Sequence, residues 1–366
     1  MYSQTQTDAM LSLDPSGTRA AVLKTLAYGV LFTLTLLLVN QRSRLRTLAM
    51  VIVISGVFQA SFGALMTLSG LEYGFFVKKI HNLGVVTGTF VNSNHLSGYL
   101  EMSLALGVGL MLSQMSTSPA THWRETARRA MSTLLGDKAR VRIALVIMVI
   151  GLVLSKSRMG NAAFFTSLLI AGGFYVFAQK RINVGIIAFF ASVLLIDILV
   201  IGNFFGLDRI AAEIQETTTV SEVARLEVGR DALQIVRDYP ITGTGAGSFA
   251  SVYPLYDSGN VGFYDYKHAH NDYIQFASEL GLPGLALLAG IVLFSLWNSV
   301  LTQLRRRQRF MRGLGCGVFM AIVAMLIHTA VDFNLQIPAN AATFVVILAM
   351  AWLTRWLGQS SQYEQS

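Results

Sequence analysis

The sequence predicts an all-α polytopic membrane protein with about nine transmembrane helices and one large, partly helical extracytoplasmic loop. Three observations carry that reading. The 366-residue chain is 53% hydrophobic and only 13% charged, roughly half the charge of a soluble domain, and its mean hydropathy is +0.54. Nine apolar runs approach or reach the ~20 residues that a helix needs to cross a hydrocarbon core. The basic residues fall in alternate loops between those runs.

In chain order the runs are 20–39, 48–69, 96–113, 141–154, 159–178, 184–202, 282–300, 314–331 and 339–357. The fourth is short for a span, so tilt or extension at one end is expected. Residues 274–280 read as a separate helical turn at the interface, broken from the next span by Gly281, Pro283 and Gly284. The +8 net charge is not a nucleic-acid signal, because of where the charge sits. It clusters around Arg42–Arg46, Arg124–Arg142, Lys180–Arg181 and Arg305–Arg312. With nine spans these four loops share one side, which the positive-inside rule makes cytoplasmic. Residues 203–272 then lie outside, and their ten Asp/Glu against five Lys/Arg make this loop acidic. The organisation expected is six spans in 1–202, the loop in 203–272, and three spans in 273–366.

This topology puts the N-terminus outside, yet residues 1–19 contain no apolar signal-peptide core. A chain lacking an odd number of upstream helices would account for that. Cys316 is the only cysteine, so the outer loop is ordered without an intramolecular disulfide.

Ionisable groups inside spans are expensive and point to function by default. Lys24, Glu101, Asp197 and His328 lie about one to two turns from the outer ends of their helices. Lys156, Arg158 and Asp332 lie at outer ends. The pattern predicts a polar cup opening outward; the bland alternative is mutual pairing or snorkelling near the interface.

Five segments carry possible chemistry. The richest is HAHNDYIQFASELGLPG, residues 268–284, at the junction of the loop and the next span. His268, His270, Asn271 and Asp272 stand together there. A neutral histidine makes a good general base and a carboxylate can orient it; structural helix-capping is the alternative. No third ligand stands at zinc spacing, which disfavours a metal site. In TGTFVNSNHLSGYLE, residues 87–101, Asn92, Ser93 or Asn94 caps a helix whose free N–H groups suit a phosphate. Asn94 and His95 are its candidate ligands, against an ordinary cap. In SKSRMG, residues 155–160, a tight outer hairpin holds Lys156 and Arg158, and Arg158 can grip phosphate bidentately. In SEVARLEVGRDALQIVRD, residues 221–238, Val223, Leu226, Leu233 and Val236 recur at helical spacing. Arg225 and Arg230 are read near that apolar face and Arg237 as solvated. The following ITGTGAGSF lacks the strand–helix context of a dinucleotide site and reads as a flexible turn. Finally, LIHTAVDFNLQIPA, residues 326–339, places Asp332 and Asn334 in a short outer turn.

At this point the chain resembles the O-antigen ligase/polymerase superfamily of bacterial membrane glycosyltransferases. The most specific match is histidine, Asn/Ser/Gln, nine residues, glycine, two residues and Gly/Thr/Tyr. Here it is met by His270, Asn271, Gly281 and Gly284, directly before the span that follows the large loop. The resemblance implies transfer of a glycan from an undecaprenyl-diphosphate carrier, without a metal ion or other cofactor, at the periplasmic side of the inner membrane. It maps the essential histidine onto His270, the hairpin arginine onto Arg158 and the loop-helix arginine onto Arg225. Relatives often carry an aromatic where Gly229 stands. They also have about twelve spans, which fits the expectation of three helices upstream of this chain.

Residues and resemblance together predict one mechanism. Arg158 and Arg225, with Lys156 and Arg230, hold the diphosphate as it leaves. His270 takes the proton of the acceptor hydroxyl, and a single displacement inverts the anomeric carbon. Asp272, Asp332 and Asp197 compete to orient it. The acceptor is a lipid A-core, a growing glycan or a protein, so ligase, polymerase and protein O-oligosaccharyltransferase all remain open. From other classes, a transporter or flippase predicts paired repeats that the sequence lacks, and a non-catalytic scaffold predicts indifference to loss of His270.

Overall fold

A computed structural model describes residues 12–115, 137–179, 186, 188–193, 220–259 and 266–358. The regular secondary structure of the described residues is helical apart from two two-residue strands paired antiparallel, β1 (Tyr73–Gly74) and β2 (Val77–Lys78). The helices are α1 (Pro15–Leu38), α2 (Arg42–Leu68), α3 (Ser93–Gln114), α4 (Asp137–Leu154), α5 (Arg158–Ala178), α6 (Val220–Asp238), the short α7 (Phe249–Val252), α8 (Asp272–Arg305), α9 (Arg309–His328) and α10 (Pro338–Trp356). Seven of them, α1, α2, α3, α5, α8, α9 and α10, are long and apolar enough to cross a membrane. The protein is therefore an all-α polytopic membrane protein. The short fourth run is α4, extended at its N-terminus by Asp137, Lys138, Ala139 and Arg140. The run 184–202, including Asp197, lies mostly outside the described residues.

The chain forms two compact units. One comprises Met1–Val30, Asp208–Ile291 and Thr329–Gln336; the other comprises Leu31–Leu207, Val292–His328 and Ile337–Ser366.

The larger unit is built around α3. Every residue from His95 to Leu112 is buried, as expected of a helix apolar on all sides. It packs against α2, α4, α5, α9 and α10. Lipid offers no hydrophobic gain for helix association, so small residues permit the close approach instead. A side chain at Gly109 would meet the Gly313 carbonyl and the Gly317 Cα, both at 2.9 Å. Gly313 and Gly317 form a GxxxG pair on α9. Glu101 and His328, expected to line an open cup, instead bond to each other at 2.7 Å with both side chains fully buried. A charge-capable pair in low dielectric satisfies itself this way.

The smaller unit has a water-type core: Val228, Ala232 and Ile235 of α6, with Phe249, Val252, Tyr253 and Ala269. Burying a side chain such as Ile235 stabilises by about 1.5–3 kcal/mol. The buried stripe differs from the one expected. Leu226 is 74% and Leu233 42% exposed, because α6 turns its smaller apolar residues onto the aromatics. The glycine segment after α6 is not a flexible turn either. Gly243, Gly245 and Gly247 all have positive φ, and their amides donate to Tyr239 O, Glu279 O and Glu279 Oε2. The start of α1 clamps the same segment: Leu13 N donates to Thr244 O, and the Ser251 hydroxyl donates to Asp14. The Gly17 amide, then Ser251, holds the Asp14 carboxyl down at about 2.

Helix α8 is two helices joined at Gly281 (φ 69°, ψ 173°), so the interfacial turn 274–280 is distinct, as its glycines predict. Any side chain at Gly281 would collide with the Ile241 carbonyl. Gly281→Ala therefore combines a strained φ with a backbone clash, and should cost at least ~1–3 kcal/mol. Gly229→Ala, whose nearest neighbour would be Ile274 Cδ1 at 3.7 Å, should be near-neutral. Thermal unfolding of the two purified variants checks the contrast. Gly317→Leu should overpack the α3–α9 contact and destabilise by about 1–3 kcal/mol, read as lower yield and melting temperature.

Candidate functional site

The site is built where the loop enters α8. The expected span 314–331 ends early, at His328, and residues 329–331 leave the helix. Their carbonyls have a use: Thr329 O accepts from Asp272 N at 2.9 Å, and Ala330 O accepts from the Asn271 amide at 2.7 Å. Asn271 also caps α8, its Oδ1 accepting from Ile274 N at 3.1 Å. The Asp272 carboxylate, 1% exposed, accepts from Leu335 N and the Gln336 side chain. Helix start and turn thus close reciprocally on each other. Asn271 and Asp272 are structural partners of this closure, with Asp272 turned toward Leu335 and Gln336.

His270 is held within it in a left-handed conformation, φ 50°. For a non-glycine residue this costs ~1–3 kcal/mol and persists only where surroundings over-determine it. Its Nδ1 is buried without a hydrogen bond and lies 3.8 Å from Asp332 Oδ1. That is longer than a hydrogen bond, but such contacts shorten when substrate binds. Its side chain is 19% exposed. Of the competing carboxylates, Asp332 is the one within ion-pair range among the described residues. Phe333 separates the two histidines: the His268 ring stacks on it at 4.3 Å, and His270 meets its edge at 4.9 Å. Tyr266 packs edge-on against His270 from 6.3 Å.

His268 has a different part. Gln275 donates to its Nδ1 at 3.2 Å and to Glu279 at 3.1 Å, and accepts from Ala269 N at 3.2 Å. Burial first of all disfavours the His268 imidazolium, so the ring is neutral near pH 7. The strut Gln275–Glu279 ties the histidine segment to the amides of Gly247 and Phe249. Sequence reading missed Phe333, Tyr266, Gln275 and Glu279. The i, i+4 spacing of Gln275 and Glu279 on a helix otherwise apolar was the available signal.

Arg225 is half-buried and lies one turn before Gly229, which touches Ile274 of α8. Arg230, expected beside it, is exposed and about 140° away around the helix. The reason is the choice of Val228, Ala232 and Ile235 as the buried face.

In the larger unit two of the expected motifs meet. Asn92, the N-cap of α3, accepts from Asn94 N. Ser97 is bonded to the Asn94 carbonyl and lies against Gly160 at the start of α5. Asn94 is half-buried, and His95 is buried with its carbonyl accepting from Asn340. In the hairpin Ser155 and Ser157 point inward while Lys156, φ 53°, and Arg158 are exposed. Two helix N-termini and two cations therefore share one end of this unit. Among the described residues no group of three or more His, Cys, Asp or Glu side chains could hold a metal ion.

These features define a membrane protein carrying a constrained histidine with a carboxylate behind it, and exposed cations beside helix N-termini. A family model described as O-antigen ligase matches residues 143–289. Over this stretch the chain is similar to the O-antigen ligase family, which supports the superfamily that the motif around His270 resembles. The match contains Arg158, Arg225 and His270; Asp332 lies beyond it. No curated protein matches the chain by sequence.

The strut yields a prediction. Gln275→Leu keeps the volume but strands Ala269 N–H and part of Glu279, so it should destabilise by ~1–3 kcal/mol. A second concerns pH. The His268 pKa is lowered by folding, so its contribution is present above about 6.5, the ordinary histidine value, and is lost as pH falls through the folded value. Melting temperature against pH should fall on the acid side in wild type, and less in His268→Asn.

Proposed function

We propose that the protein transfers a glycan from an undecaprenyl-diphosphate carrier to an acceptor hydroxyl at the outer face of the inner membrane. The step is metal-independent and inverting. The observation that carries this reading is His270: a strained backbone, Nδ1 turned to the buried Asp332, and a side chain still 19% exposed.

In this reading Asp332 keeps the proton on Nδ1, which leaves the Nε2 lone pair as the base. Nε2 takes the acceptor's hydroxyl proton while that oxygen bonds to the anomeric carbon. The bond from that carbon to the phosphate oxygen breaks, and its electron pair leaves on the diphosphate. Arg225 stabilises the leaving charge. The family pattern gives the same duty to Arg158, and its exposed hairpin with Lys156 supports that assignment. Asn94 and His95, at the N-terminus of α3, are proposed as further donor contacts. His268 and Asn271 set the position of His270. Arg230 has no place in this scheme, because it lies on the side of α6 away from Arg225.

The test is glycan transfer in a strain lacking the native gene, at matched membrane levels. His270→Ala should lower transfer by roughly 10²–10⁴-fold, the usual contribution of a general base, with accumulation of undecaprenyl-linked glycan. Asp332→Asn should reduce turnover less, and Arg225→Ala should weaken donor use. Product size then separates a lipid A-core or protein acceptor from a growing glycan. Wild-type transfer by His270→Ala would sink the catalytic assignment and favour a scaffold or transporter.

A further inference from the structure

Helix α6 carries a second pattern that its core does not use. Leu226, Arg230, Leu233 and Arg237 follow one another at spacings of four, three and four residues. At 3.6 residues per turn they fall within about 60° of each other. Leu226 and Leu233 are 74% and 42% exposed, and both arginines are exposed. The buried residues Val228, Asp231, Ala232 and Ile235 lie on the opposite side. The exposed stripe thus alternates leucine and arginine along the helix.

A second observation says what lies beyond the stripe. The C-terminal end of α6 runs into a turn whose Pro240 carbonyl accepts from Leu282 N at 2.8 Å. Ile241 in that turn is pressed against Gly281. Leu282 is the first residue of the apolar run 282–300, where α8 begins its crossing. Ile241 is 73% exposed, Leu282 51% and Leu287 70%. Helix α6 therefore ends beside the start of an apolar run long enough to cross a membrane, next to exposed apolar residues.

We propose that α6 lies in the lipid–water interface of the bilayer crossed by α8. Leu226 and Leu233 enter the acyl-chain region, while Arg230 and Arg237 reach the phosphates of anionic phospholipid. Alternating leucine and arginine on one face fits that boundary, since arginine stems can lie on apolar surface with the guanidinium at headgroup level. The proposal rests on the helix and its anchor, and not on the glycosyl-transfer reading. It adds a consequence to that reading: Arg225, about 100° around the helix from Leu226, is carried at the depth where a lipid-linked diphosphate resides.

The experiment uses the full chain in proteoliposomes containing phosphatidylglycerol. Leu226→Cys and Leu233→Cys each receive a polarity-sensitive fluorophore, with Asp257→Cys as an exposed control. The native Cys316 is fully buried, so labelled wild type serves as the blank. The labels at 226 and 233 should show blue-shifted emission, loss of intensity with brominated lipids, and protection from aqueous iodide; the label at 257 should show the reverse. Replacing phosphatidylglycerol by zwitterionic lipid, or Arg230→Gln with Arg237→Gln, should lessen the bromolipid quenching. Water-like emission with iodide quenching at 226 and 233 would overturn the proposal. So would protection from iodide without bromolipid quenching, which would mean that protein covers the stripe. Quenching indifferent to both charge changes would overturn the phosphate contacts.

Discussion

The smaller unit depends on one reciprocal closure. The first amides of α8 need acceptors, and the carbonyls of residues 329 and 330 need donors. Each set satisfies the other through Asp272 N and the Asn271 side chain, and the Asp272 carboxylate then binds back to Leu335 and Gln336. Residues about 60 positions apart in sequence are fastened across a gap of one hydrogen bond. Without that fastening nothing would hold His270 in the left-handed region, and Asp332 would have no fixed place beside it.

The two histidines of this segment illustrate how position, not residue type, assigns roles. His268 is stacked, bonded through Nδ1 and pushed by burial toward its neutral form. It behaves as a wall. His270, two residues later, spends conformational energy to present one nitrogen to a carboxylate while its side chain stays 19% exposed. A strained residue that its neighbours over-determine is where a functional reading has physical grounds. Phe333 stands against both rings.

The two units are stabilised by different physics. Around α3, glycines at 109, 313 and 317 let backbones touch, because lipid tails are as apolar as the side chains they would replace. Around α6, a small aromatic and aliphatic core withdraws from water, and glycines serve turns with positive φ. Polar groups of the larger unit divide by burial. Glu101 and His328 neutralise one another in the interior, whereas Lys156 and Arg158 stay exposed on a hairpin whose serines turn inward.

Much was legible in the sequence, for reasons that can be stated. Hydrophobic runs of bilayer length show in one dimension, so seven of the nine expected spans, found among the described residues, and the break at Gly281 needed no structure. The motif around His270 and Asn271, with Gly281 and Gly284, has fixed spacing, so the resemblance to O-antigen ligases was legible too. The choice of buried face on α6 was not, since Leu226, Leu233 and Val236 recur at helical spacing just as Val228, Ala232 and Ile235 do, and periodicity alone does not choose between them. Only the three-dimensional packing against Phe249 and Tyr253 decided that, and with it the separation of Arg225 from Arg230. The selection of Asp332 over Asp272 as the carboxylate near His270 was likewise tertiary: it depends on a turn some 60 residues away, and local spacing favours the wrong neighbour.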